Sequence, residues 1–246
     1  MAFTEAASKI KNRLIMTIDA LEKSGKNHLA FSAPDPIAII SLDVGLEGVL
    51  QKFKKKRIYV SEHRLPITTG MSDAKALEIS LKVWKAIRQD YCDALDTKEI
   101  RTIICDTGTE MWENCRLSWF GKLTEVLPHH YAKPNKEWSD LVRMGYENDK
   151  NVIWLHKLKD EYTGNKRTGE YKRAGQSDMG FLVQVAGRAW KDPKVSTVPD
   201  KFHYTVTDCR FNPEIEGLDF GGEECNFPMI ASYALYGDDS KMKEFT

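Results

Sequence analysis

The sequence has no C-x-x-C pair, no excess of charge of either sign, no apolar run long enough to cross a bilayer and no complete glycine-rich phosphate motif. Each absence excludes something. The five cysteines (Cys92, Cys105, Cys115, Cys209 and Cys225) are odd in number and widely spaced, which argues against a zinc site or a disulfide framework and for a reducing compartment. Lys and Arg balance Asp and Glu at 36 each, so attraction to nucleic acid can come only from a local patch. The first nine residues lack the apolar core of a signal peptide, and the expectation is a soluble cytoplasmic protein with no membrane partner. Neither an internal repeat nor a low-complexity segment is present.

What is there is enough apolar material for one sizeable core. A chain of 246 residues that is 41% hydrophobic is expected to fold as a single α/β domain over residues 1–246. Residues 1–12 read as a short N-terminal arm. Buried strands are predicted at 13–18, 36–43, 101–106 and 151–156, with a shorter one at 58–61. The best helix runs from Ser72, a good cap, to Asp90, with Leu77, Leu81, Trp84 and Ile87 at helical spacing. Further helices are predicted at 109–126 (Trp112, Leu117, Phe120, Leu123), 138–146, from Ser177 through Ala189, and 228–236. Residues 157–176 are polar and without apolar periodicity, which reads as a long loop. A half-exposed strand at 202–210 and the closing helix make up a C-terminal segment, 202–246. Strands separated by helices call for a mostly parallel sheet covered on both faces, with ligands at the carboxyl ends of its strands.

Those strand ends carry chemistry. After the first strand comes Ala20-Leu-Glu-Lys-Ser24-Gly25-Lys26-Asn27, which matches G-x-x-x-x-G-K-[ST] at Gly25 and Lys26 and departs from it at Ala20 and Asn27. Such a loop works by aiming backbone N–H groups and a lysine at phosphate oxygens. By itself Ser-Gly-Lys between a strand and a helix is more often an ordinary lysine-bearing turn than a nucleotide site. The helix after it must be short, because Pro34 and Pro36 stop it. The other strand ends deliver Asp43, Asp106 and His156, and a lysine loop with two carboxylates is what phosphoryl transfer needs.

The segments Ser24-Gly25-Lys26, Pro36 to Gly48, Asp106-Thr-Gly-Thr-Glu-Met-Trp112, Asn151 to Lys157 and Asp208-Cys-Arg-Phe-Asn212 together resemble the phage-encoded RecA-like P-loop ATPases associated with recombination and single-strand annealing. That resemblance implies a RecA-like fold binding ATP and Mg²⁺. Lys26 would contact the β- and γ-phosphates, with Ser24, Gly25, Asn27 and His28 around them. Asp106 would be the metal-side carboxylate, with Asn27 in place of the usual hydroxyl ligand. Asp43 would polarise the attacking water, with Glu47 and Glu110 as alternatives. His156 would sense the γ-phosphate, or simply cap its strand.

The 157–176 loop sits where the resembling proteins contact DNA. Its Lys159, Lys166, Arg167, Lys172 and Arg173, interleaved with Tyr162 and Tyr171, suit single-stranded DNA, although a mobile surface loop has the same composition. Lys172, Arg173 or Arg188 would alternatively reach a neighbouring subunit's nucleotide in a homo-oligomer. A single-strand-binding or annealing protein is the implied partner. The expected activity is a DNA-dependent ATPase in recombination, repair or replication. Two other readings stand beside it: a nucleotide-gated DNA-binding accessory with little hydrolysis, and a P-loop kinase.

Overall fold

A computed structural model of the protein describes residues 10–43, 45–122 and 126–246. Nine strands form one sheet. Six of them run parallel in the order β3 (Ile58–Glu62), β2 (Ile37–Ser41), β4 (Thr102–Asp106), β5 (Asn151–Thr163), β1 (Ile15–Ala20) and β7 (Val185–Lys191). Beyond β7 the sheet continues antiparallel through β8 (Phe202–Cys209) and β9 (Asp219–Gly221). The chain is therefore α/β with a mostly parallel sheet, as its alternating pattern predicts.

The central strands are buried on both faces, and alternate side chains feed two separate cores. Leu14, Met16 and Ile18 join Ile104, Ile153 and Leu155 on one face, covered by α1 (Lys26–Phe31) and α7 (Phe227–Tyr236). Ile15, Ile103, Cys105, Val152 and Trp154 face the other way, under α3 (Asp73–Asp96), α4 (Gly108–Phe120) and α5 (Ala132–Met144). That second core centres on Trp138, whose ring lies 5.3 Å from Trp154, 5.6 Å from Trp112 and 6.3 Å from Trp84. A turn of helix, α2 (Glu47–Leu50), follows β2.

Several expectations are corrected. The region from Ser177 to Ala189 is not one helix. A single turn, α6 (Met179–Leu182), leads into β7, which pairs with β1. Val185, Ala186 and Ala189 suit a buried strand as well as a helix, and sheet pairing decides between them. Gly187 belongs to this packing: a Cβ there would lie 2.4 Å from Tyr204. The 157–176 segment is a hairpin rather than a loop. β5 runs on past the sheet to Thr163, turns at Gly164 and Asn165, and pairs antiparallel with β6 (Lys166–Arg173).

The buried face of α3 is Ala76, Ser80, Trp84, Ile87 and Tyr91, whereas Leu81 is exposed, so the predicted stripe is rotated. α4 ends at Phe120 because Gly121 turns left-handed (φ 69°) against α3; a Cβ on it would lie 2.7 Å from the Asp73 carbonyl oxygen. Leu123 and the first nine residues of the predicted arm fall outside the described residues. Among the described residues no helix is long and apolar enough to cross a membrane.

Candidate phosphate-binding site

β1 lies between β5 and β7, and its carboxyl end opens into the loop that leads to α1. Gly25, the residue before α1, is left-handed at φ 82°. A side chain is excluded there twice, by this backbone conformation and by the Phe202 ring, which a Cβ would approach to 2.8 Å. α1 ends after Phe31, short of the two prolines, as expected. The turn directs Lys26 and Asn27 into a cleft of about 1200 Å³, whose lining includes Ser24, His28, Asp43, Lys157 and Phe202.

Lys26 Nζ lies 3.9 Å from Asp43 Oδ2. Asn27 reaches behind the loop, its Nδ2 donating to Asp106 Oδ2 at 3.0 Å. Asp106 is fully buried at the end of β4, and its peptide to Thr107 is cis. Burial pushes its carboxyl up to about 6; Lys26 and the Asn27 hydrogen bond oppose the shift, whereas the charges of Asp43 and Glu110 add to it. Three buried oxygens here have no hydrogen-bond partner: Asn27 Oδ1, Asp106 Oδ1 and Glu110 Oε2.

Glu110 sits in the first turn of α4 and pairs through its other oxygen with Lys157 Nζ. The Lys157 backbone N–H donates to Thr109 Oγ1 at 3.0 Å, and that hydroxyl donates to the Ala174 carbonyl at 2.6 Å. The start of α4 is thereby tied to both strands of the hairpin. Burial is the largest single influence on the Lys157 ammonium and lowers it, yet Glu110, Asp43 and Asp106 together raise it. It is a second cation at the site that motif reading overlooks.

His156 is brought near but not into the cleft. Fully buried, it is wedged between Gly108 and Gly175, where added Cβ atoms would come within 2.7 Å and 3.0 Å of the ring. Burial and then the charge of Arg173 hold it down at about 3; the backbone of Ala174 opposes this at a geometry too loose for a hydrogen bond, and neither ring nitrogen has a partner.

The five basic residues of the hairpin divide. Arg173 is half-buried, its Nε 2.8 Å from Asp19 Oδ2 and its Nη2 3.2 Å from Thr17 Oγ1, both on β1. Asp19 carries a raised pKa from burial, which Arg173 offsets. It is a further residue that sequence reading passes over, since an acid inside an apolar strand declares no partner. Arg167 pairs with Asp160 on the cleft side. Among the described residues no ion pair engages Lys159, Lys166 or Lys172, and Arg188 donates to the Tyr171 carbonyl at 2.9 Å. The side chain of Glu47 lies outside the described residues.

No model of a known protein family matches the chain, and no curated protein matches it. The site must be read from its own chemistry. Unpartnered buried oxygens from one amide and two carboxylates suit a hard cation. Among the described residues no three His, Cys, Asp or Glu residues form a cage for a metal.

Proposed function

We propose that the protein binds ATP with Mg²⁺ through the loop after β1 and hydrolyses it as a RecA-like ATPase under the control of single-stranded DNA. The observation that carries this reading is the convergence of three strand ends. The left-handed turn at Gly25 presents Lys26 and Asn27 to a cleft shared with Asp43, and Asn27 is hydrogen-bonded to the buried Asp106. The parallel sheet, with β1 inside it and carboxylates after β2 and β4, supports the same reading.

Lys26 neutralises the terminal phosphates, and the backbone of Ser24, Gly25 and Asn27 cradles them. Asn27 and Asp106 hold the Mg²⁺, which supplies charge neutralisation on the phosphate oxygens when bound. Asp43, beside Lys26, orients the attacking water, and Glu110 is the alternative for that task. The lysines of the hairpin outside the cleft, Lys166 and Lys172, together with Lys159 at the cleft edge, take the DNA phosphates, and a homo-oligomer acting in recombination, repair or replication is the setting in which such a motor works.

A second reading keeps the nucleotide and drops the turnover. Asn27 stands in place of a hydroxyl ligand and its amide nitrogen donates to Asp106, an arrangement that also suits a nucleotide-gated DNA binder. ATP hydrolysis measured with and without single-stranded DNA, on wild type and Lys26→Ala, separates the readings. DNA-stimulated turnover lost in the variant supports the ATPase. ATP binding without turnover supports the second reading, and absence of ATP binding sinks both.

A further inference from the structure

The phosphate cradle forms only one wall of the cleft. At about 1200 Å³ the cleft exceeds the roughly 300–1000 Å³ of an ordinary small-molecule site, leaving room beyond a triphosphate. Its opposite wall is the β5–β6 hairpin, through Leu158, Asp160, Arg167 and Tyr171. Alternation at the end of β6 puts Tyr171 and Arg173 on one side, Arg167 meets Tyr171 there across an irregular stretch of the pairing, and Arg173 is pinned to Asp19 on β1, so that side faces the cradle.

The wall is held in place. Arg188 bonds the Tyr171 carbonyl, and Thr109 bonds the Ala174 carbonyl three residues on. The Arg167 guanidinium lies 5.8 Å from the centre of the Tyr171 ring and is paired with Asp160. Two other rings line the cleft, and both are engaged: Phe202 covers Gly25, and His28 lies 5.8 Å from Phe53. Tyr171 is the half-buried ring on the hairpin wall; Arg167 lies at its side and donates from Nη2 to its hydroxyl at 3.3 Å, so a base would stack on the ring together with or in place of that guanidinium.

We infer that the cleft-facing side of the hairpin is a nucleoside subsite in which the base of the bound nucleotide stacks on Tyr171. The inference rests on the nucleotide reading above and adds to it that the hairpin serves the nucleotide on its inner side. The ligand is thus a nucleoside 5′-triphosphate recognised at both ends, rather than any polyphosphate.

Calorimetric titration of the full chain with Mg²⁺-ATP and with Mg²⁺-tripolyphosphate, on wild type, Tyr171→Ala and Tyr171→Phe, tests it. Loss of one stacked ring is expected to weaken ATP by about tenfold in Tyr171→Ala. Tripolyphosphate binding should be unchanged in that variant, and Tyr171→Phe should bind ATP like wild type. Equal ATP affinity in wild type and Tyr171→Ala overturns the subsite. So does an equal loss for both ligands, which would mean that the substitution acts through the cradle, or tripolyphosphate binding to wild type as tightly as ATP. A wild type that binds neither ligand removes the nucleotide reading itself and the subsite with it.

Discussion

The cradle at the strand ends and the hairpin beside it treat charge in opposite ways. In the cradle, Asp106 is buried and Asn27 and Glu110 are half-buried, each with one buried oxygen unpartnered, and Asp106 is pushed up to about 6 by burial. On the hairpin, Lys166 and Lys172 project where water satisfies them, and Arg167 is paired on an exposed surface. Buried polar groups without partners are costly, and exposed pairs are worth little. The cradle therefore stands at the expense of stability, while the outer hairpin can change without cost to the fold. Arg173 is where the two regimes meet: it belongs to the hairpin by sequence and to the core by its bond to Asp19.

Four measurements would break or sharpen that contrast. The largest effect is expected at Asp106. Asp106→Asn should lower ATP turnover by about 10²- to 10³-fold, the usual scale for removing one preorganised charge-stabilising group. The same change should raise stability at pH 8 by about 3 kcal/mol, because the wild-type carboxyl, shifted from 3.8 to about 6, is ionised there at a cost. Urea denaturation at pH 8 checks the second part; an unchanged or lowered stability would mean that the buried carboxylate is compensated in the free protein.

Next comes the pair of hairpin arginines. Arg173→Ala strands Asp19 in the core and should cost about 3 kcal/mol. Arg167→Ala should leave the melting temperature unchanged. Equal losses from the two would erase the distinction between the root and the outer part of the hairpin.

The pH dependence gives a third test. A buried histidine held at about 3 stabilises the fold fully above the unfolded value of 6.5, and that contribution is lost as pH falls from 6.5 towards 3. The raised Asp106 works the other way: its stabilisation is fully present below 3.8 and is lost as pH rises through about 6. Between about pH 4 and 6 the two slopes cancel in wild type. Asp106→Asn removes one of them, so its stability should fall with acid more steeply than that of wild type, by up to about 1.4 kcal/mol per pH unit. Parallel stability curves for the two proteins would show that one of these groups is not as isolated as its surroundings indicate.

The smallest effect is expected on the outer lysines. Replacing Lys166 and Lys172 together by Ala should leave stability and basal turnover alone, while weakening single-stranded DNA and flattening the salt dependence by about 0.7 for each phosphate no longer neutralised. A binding curve and salt slope identical to wild type would move the DNA surface elsewhere on the molecule.

Much of the architecture is legible before folding. The apolar runs that become β1, β2, β4 and the first half of β5 are too hydrophobic to be anything but buried, and prolines 34 and 36 cap the length of α1. Gly25, Lys26 and Asp106 are identifiable from their place at strand ends. The hairpin is legible too, though apolar periodicity misses it: Gly164-Asn165 is a two-residue turn dipeptide with Tyr162-Thr163 before it, an independent signal. β7 is ambiguous in principle, since its apolar positions satisfy both periods.

Local pattern thus settles which segments are strands and helices wherever the apolar spacing admits one answer, because side-chain periodicity and backbone sterics act within a few residues. The meeting of Asn27 with Asp106, of Arg173 with Asp19 and of Lys157 with Glu110 belongs to tertiary structure alone. Each joins groups between 47 and 154 residues apart. Strand order brings them together, and burial then decides which charges are strained and which are at ease.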